Sequence, residues 1–316
     1  MCKFTGIDIS KQSFDVSFSE NGKWQHHVLE NSVSGFKKLL KLLSPADWAV
    51  MEASGSYYLP LAEYLSMNGI KVCVVNPLVI KRFSQTNLYR AKTDKKDAQT
   101  IAEYAAKYEL KQWSAESNNT KKLRQLYTRI EMLQKQVDQN RKQLEAFLCS
   151  GFLDTILKRE ISSSIKYLEN KIELLEKEMD RISLEEYADT LEVLQSIPGV
   201  GKKTAMMMCL ITSNFEKFSH YKQLIAFVGF SPRVYQSGSS VRAKGHICKM
   251  GKAQIRKLLY LCSWSAKRCN KACKDMYERL KSKGKPERVI KIAIANKLIK
   301  QIFAIGKSKI KYQPNI

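Results

Sequence analysis

The first hundred residues switch repeatedly between two hydrophobic periods. Lys3–Phe18 and Trp24–Leu29 carry the near-alternating pattern of strands, with Glu20-Asn21-Gly22 as the turn between them. Ser34–Leu43 moves to a helical period, Trp48–Ala53 is a short apolar strand, Leu59–Met67 a helix, and Ile70–Val75 a strand stopped by Asn76-Pro77. Lys95–Tyr108 puts Ala98, Ile101, Ala102 and Ala105 on one helical face, and Thr93 or Asp94 stands where an N-cap belongs. A hairpin followed by alternating strands and helices predicts a mixed α/β sheet covered by helices over residues 1–112.

Over residues 118–185 the period becomes a narrow seam. Leu123, Leu126, Ile130, Leu133, Val137, Leu144 and Phe147 step by threes and fours, and so do Ile161, Ile165, Leu168, Ile172, Leu175, Met179 and Ile182. The positions around them are nearly all Lys, Glu, Gln and Arg, and Cys149–Asp154 reads as a turn. An antiparallel coiled-coil hairpin is expected across residues 113–187, acting as a spacer or an oligomer contact. Residues 188–316 read as mainly helical, broken by a Gly/Ser-rich stretch at Gly229–Gly251 and closed by an amphipathic helix at Pro286–Phe303. The tail Lys307–Ile316 is expected to fray.

Charge adds what the pattern lacks. The 316-residue chain has 54 Lys and Arg against 30 Asp and Glu, and residues 187–316 alone hold 26 basic and 6 acidic residues, a net of +20. A field of one sign this large points to phosphate backbones and away from neutral small-molecule substrates. No apolar stretch approaches the roughly 18–20 residues of a membrane span, and the opening residues carry no leader pattern, so a soluble, cytoplasmic protein is expected. Eight cysteines lie scattered without a C-x-x-C pair, and His26, His27, His220 and His246 fit no zinc spacing.

Four carboxylates stand out against this background. Asp8 interrupts the apolar run Gly6–Ile9, and Glu52 closes the strand Trp48–Glu52. Asp94 and Asp97, at i and i+3, share one face of a helix's first turn. Each alone has an ordinary reading as a cap, a turn residue or a solvated acid. Brought together they would repel unless divalent cations lay between them, so convergence implies Mg²⁺ or Mn²⁺, two ions being the arrangement suited to a phosphodiester displacement. Lys11, just after Asp8, is placed to reach a phosphate. In the basic half, Ile197-Pro198-Gly199-Val200-Gly201-Lys202-Lys203 reads as a helix-hairpin-helix element in which Gly199 and Gly201 allow a tight turn and Lys202 and Lys203 add charge. It lacks the spacing of a phosphate-binding P-loop.

Asp8, Glu52 within Met51-Glu52-Ala53-Ser54-Gly55-Ser56-Tyr57, and Lys92-Thr93-Asp94-x-x-Asp97-Ala98 resemble the DEDD set of a RuvC-like (RNase H-like) nuclease domain. More narrowly they resemble the DEDD-type insertion-sequence transposases related to Piv invertases, the bridge-RNA-guided recombinases. The likeness extends into the basic half through Gln236-Ser237-Gly238, Lys244-Gly245-His246-Ile247, and Lys249-x-Gly251 with the trailing Arg256. That resemblance implies an N-terminal nuclease domain, a C-terminal transposase domain, and Ser237 as the strand-transfer nucleophile, with Ser239, Ser240 and Tyr235 as rivals. It further implies DNA as substrate and a noncoding guide RNA; because the acids and the serine lie on separate domains, a composite site in a dimer or tetramer is expected. A serine attacking phosphate needs cations near the developing charge; Arg242, Lys244, Lys249, Lys252 and Arg256 are the expected nucleic-acid contacts. The alternatives from the residues alone are a junction-resolving nuclease that uses water, or a nucleic-acid-binding scaffold.

Overall fold

The structure, a computed structural model, describes residues 2–87, 93–233, 236–237, 241–242 and 246–314. The chain divides into two compact units, Met1–Glu116 and Ser117–Ile316.

The first unit is a mixed α/β layer. Strands β1 (Phe4–Ile9), β2 (Ser13–Glu20), β3 (Lys23–Glu30), β4 (Trp48–Glu52) and β5 (Lys71–Val75) form one sheet in the order β3-β2-β1-β4-β5. The first three pair antiparallel, and β1-β4 and β4-β5 pair parallel. This is consistent with a DEDD nuclease-like domain. Asn21 and Gly22, both at positive φ, close the β2-β3 hairpin as the sequence predicts.

The expected single strand over 3–18 is instead a hairpin. Ser10 breaks it: the Ser10 and Ser13 backbones bond across the turn, and the Ser10 hydroxyl donates to the Ser13 carbonyl. Helices α1 (Val33–Leu40) and α2 (Leu59–Met67) cover one face, over a core of Ile7, Phe14, Val16, Leu39, Met51, Leu61 and Leu65. A helix α3 (Pro77–Thr86) follows β5, started by Asn76, whose side chain accepts from the Leu78 amide, and by Pro77 in the first turn. Helix α4 (Asp94–Lys107) lies on the other face against Val50, Cys73 and Val75.

The second unit is helical apart from short paired strands. Helices α5 (Asn118–Cys149) and α6 (Thr155–Gln195) run antiparallel: Asn140 bonds Ser164, Arg141 bonds Glu169, and Thr120 bonds Tyr187. Ser150–Asp154 joins them, and the Asp154 carboxylate accepts from the Ile156 and Leu157 amides as N-cap. Leu123, Ile130, Leu133, Val137, Ile161, Ile172, Met179 and Ile182 are buried. Helix α6 runs past 187 with one non-helical residue, Tyr187, whose hydroxyl is 2.6 Å from that of Thr120. Its last turns carry Leu191, Val193 and Leu194 into the main core.

At the centre of that core is α7 (Lys202–Thr212), buried all round from Thr204 to Thr212. Helices α8 (Tyr221–Val228), α9 (Ala253–Cys269), α10 (Lys271–Ser282) and α11 (Glu287–Ser308) complete the unit. Between α8 and α9, strands β6 (Pro232–Arg233) and β9 (His246–Ile247) pair antiparallel, and so do β7 (Gln236–Ser237) and β8 (Val241–Arg242). The tail does not fray through its described length. Lys309 bonds the Thr190 hydroxyl and the Asn214 side chain, Lys311 pairs with Glu192 at 2.6 Å, and the Tyr312 amide donates to the Ser196 hydroxyl at 2.8 Å. No helix among the described residues is long and apolar enough to cross a membrane.

Candidate active site

The acidic site of the first unit follows from strand alternation. Ile7 and Met51 are paired in the parallel β1-β4 register and bury their side chains toward α1 and α2. Asp8 and Glu52, one residue further on each strand, therefore point to the opposite face, where α4 lies. Gly6 sits on that same face, and a Cβ there would stand 2.1 Å from the Ala98 carbonyl oxygen and 2.4 Å from the Ala102 amide nitrogen. The missing side chain lets the first turns of α4 rest directly on β1.

The other two carboxylates are in that turn. Thr93 caps α4, its hydroxyl accepting from the Lys96 amide at 3.2 Å, and Asp94 and Asp97 occupy the first turn, where the helix dipole favours negative charge. Asp94 continues the stripe of Ala98, Ile101 and Ala105 that packs on the sheet. Close approach at Gly6 thus carries the acids of α4 toward the ends of β1 and β4.

The electrostatics record this convergence. Burial first, then the charges of Asp97, Asp94, Glu52 and Asp15 in that order, push the Asp8 carboxyl up to about 6. Asp15 was missed by the sequence reading. It lies directly opposite Asp8 in the β1-β2 register, and its Oδ1 is 2.7 Å from Nε2 of His26 on β3. A two-residue period would have found it only if the turn at Ser10 had been placed correctly.

Hard carboxylate oxygens are the donors that Mg²⁺ and Mn²⁺ prefer, so the residue types fit such ions. Among the described residues no three His, Cys, Asp or Glu side chains are grouped closely enough to hold a metal ion as they stand. Lys11 is exposed in the β1-β2 turn.

In the second unit, the backbone of Ser237 pairs with Val241 and that of Gln236 with Arg242. In a separate two-stranded sheet, Pro232 pairs with Ile247 and Arg233 with His246. Lys92, Tyr235, Ser239, Ser240 and Lys244 lie outside the described residues. Among the described residues, three contacts hold the outer end of the β6-β9 pair. The Cys248 amide donates to the Ser231 carbonyl, the Lys249 amide to that of Gly229, and Arg256 Nη1 to that of Val228 at 2.8 Å. Gly229 and Gly251 are both at positive φ, and a Cβ on either would meet a backbone oxygen, at 2.4 Å from Met250 and 2.1 Å from Phe227 respectively. Arg256 therefore spends at least part of its guanidinium on the end of α8, while Lys249 and Lys252 are exposed.

The turn at 197–201 joins α6 to α7. Gly199, at φ +95°, packs against Ala266 of α9, with a Cβ position 2.7 Å from the Ala266 Cβ, whereas Gly201 faces open space as the α7 N-cap. Lys202 pairs with Asp180 at 2.8 Å and Lys203 with Glu176 at 3.3 Å, both on α6. These pairs are half exposed, and such contacts are worth about 0–1 kcal/mol, little enough to be exchanged for phosphate.

Comparison with known proteins covers both units. A DEDD transposase model of the IS110 type matches residues 5–153, and the model of the IS116/IS110/IS902 transposase family matches residues 191–278. The chain is 29% identical to the pilin gene-inverting protein of Moraxella lacunata over 96% of this chain and 95% of that protein. It is 22% identical to the transposase for insertion sequence element IS1328 of Yersinia enterocolitica, over 82% of each. It is 24% identical to the transposase for insertion sequence element IS1111A of Coxiella burnetii, over 81% of this chain and 76% of that one.

Proposed function

The chain belongs to the IS110 family of DNA transposases and recombinases, and from that premise we propose that it cleaves and exchanges DNA strands with Asp8, Glu52, Asp94 and Asp97 as cation ligands and Ser237 as nucleophile. The observation that carries the acidic half of this reading is the Asp8 carboxyl, which feels all three of its partners and is raised to about 6. Bound Mg²⁺ or Mn²⁺, in a pair, would neutralise this charge and polarise the scissile phosphate. A bound cation would favour the ionised Asp8 carboxylate, so ion binding would release protons chiefly at and below pH about 6. Asp15, hydrogen-bonded to His26, adds negative charge behind Asp8 and is not counted among the ligands.

The Ser237 hydroxyl forms the new bond to phosphorus as one bridging P–O bond breaks. The phosphate then rests on serine and the departing strand ends in a free hydroxyl, so the bond energy is kept for rejoining. Arg242, Lys244 and Lys249 stand within the same stretch to offset the charge that develops. Full-length similarity to a protein named for inverting a gene supports strand exchange over simple cutting. Division of labour follows the chain: residues 1–112 as a RuvC-like nuclease domain, 113–187 as a coiled-coil hairpin, and 188–316 as a transposase domain with a helix-hairpin-helix turn. With acids and serine on separate units, the working site is composite and the active species a dimer or tetramer. The basic surface also serves a noncoding guide RNA.

The second reading, hydrolysis by water, is favoured by one fact: the acidic set is complete within the first unit. Asp8→Asn and Asp97→Asn tested for cleavage and DNA binding separate metal chemistry from its absence. We expect cleavage to vanish in both, and in wild type under EDTA, with DNA affinity kept. Cleavage that persists under EDTA overturns the metal-dependent reading.

A further inference from the structure

Within the second unit, a cavity of about 390 Å³ opens between α8, α11 and β6. That volume lies within the roughly 300–1,000 Å³ range of small-molecule sites, and the cavity is open on one side. Its apolar lining comes from Tyr221, Ile225, Pro232 and the nearly buried Phe230, and its uncharged polar groups are Ser231 and Asn296 of α11. The Asn296 Oδ1 is buried and has no hydrogen-bond partner in the protein. Buried side-chain oxygens are almost always paired, so a small turn of the Asn296 side chain toward the cavity would give this one a donor from a bound molecule. At the rim stand two exposed cations, Lys222 and Lys300, the latter with Nζ 5.2 Å from the centre of the Tyr221 ring.

We infer that this cavity takes one unpaired nucleobase of a nucleic-acid strand, with the base against Tyr221 and Pro232, an N–H of its edge meeting the Asn296 side chain as that side chain turns toward it, and its flanking phosphates on Lys222 and Lys300. The chemistry is that of single-strand readers: an aromatic wall for the base, one polar group for its edge, and lysines for the backbone. A base stacked within a duplex cannot enter, so the pocket selects strand regions that are already open or are opened on binding. Pro232 belongs to the strand pair that leads into the Ser237 segment, which puts a gripped base next in the chain to the proposed nucleophile. The inference does not depend on the serine chemistry, because its test reads binding alone.

The test measures binding of the full-length protein to three probes of equal length: a single-stranded oligonucleotide with bases, one of abasic sugar–phosphate units, and a duplex. Wild type should prefer the strand with bases by about 10-fold over the abasic one, the size of one base–aromatic contact. Tyr221→Leu and Asn296→Ala should each bring that ratio to within about 2-fold while duplex affinity is unchanged. Asn296→Ala removes an unpaired buried oxygen, so its melting temperature should be no lower than that of wild type, which guards against a folding artefact. The exposed Lys300→Gln should weaken both single strands alike and reduce the salt slope by about one. DNA and RNA versions of the strand show which polymer the pocket serves, and a preference for bases in either supports the site. An unchanged ratio in both pocket variants, or equal weakening of strand and duplex, overturns it.

Discussion

Gly6 is where sequence, packing and chemistry meet at the scale of one residue. Its missing side chain admits the Ala98 carbonyl to within 2.1 Å of where a Cβ would be, so Gly6→Ala must push α4 away from β1. We expect a loss of about 3 kcal/mol in urea unfolding, as for overpacked core sites, with cleavage lost as Asp94 and Asp97 withdraw. Asp8 makes a second prediction at this scale. Its carboxyl goes from an ordinary 3.8 to about 6 on folding. Below pH about 4 it is protonated in both states; between there and pH about 6 the folded form keeps a proton that the unfolded form has released. Its contribution to stability is therefore lost as pH rises through about 6. In EDTA, Asp8→Asn should match wild type near pH 4 and melt higher than wild type at pH 7.5. The gap should be smaller than the full linkage of about 3 kcal/mol, because Asp8 is partly open to solvent. A variant that melts lower at pH 7.5 would contradict the crowded acidic site.

Elements were legible where local chemistry alone decides them. The Asn21-Gly22 turn, the Thr93 cap and the turn after Cys149 each follow from residues that bond within a few positions of themselves. The β1-β2 turn was not, since Ser10-Lys11-Gln12 carries no glycine or proline and the run on either side alternates. Missing it hid Asp15, which faces Asp8 only once the strand doubles back. Helix α3 was hidden by reading Asn76-Pro77 as a stop, although the same pair serves equally well as N-cap and first helical residue. The tail was read as frayed because Lys309, Lys311 and Tyr312 find partners distant in sequence, on the end of α6 and at Asn214. The paired helices α5 and α6 carry their own prediction. Val137 is fully buried between them, so Val137→Asp should cost several kcal/mol and Val137→Ile about 1–3 kcal/mol or less. Equal unfolding midpoints for wild type and Val137→Asp would remove the packed seam.

At the scale of the whole molecule, the basic excess and the acidic set fall in different parts of the chain. Residues 187–316 carry a net +20 while the acidic set lies wholly within the first unit. Binding dominated by about 6–10 phosphate contacts should lose roughly 10³–10⁵ in affinity between 50 and 200 mM salt, whatever the DNA sequence. A shallow salt dependence would mean that the basic half is not the binding surface. The Ser237 backbone pairs with Val241, and nearby in the chain Gly229, Gly251 and Arg256 make close contacts between the end of α8 and the segment that leads into α9. The central claim is that this serine, served by the acids of the other unit, becomes joined to DNA. The most direct measurement is a denaturing gel of end-labelled substrate incubated with Mg²⁺. Wild type should yield a protein–DNA adduct that survives denaturation, and Ser237→Ala, Asp8→Asn and EDTA should each abolish it while DNA binding persists. An adduct that forms undiminished with Ser237→Ala, or free-ended nicks without any adduct from wild type, would contradict it.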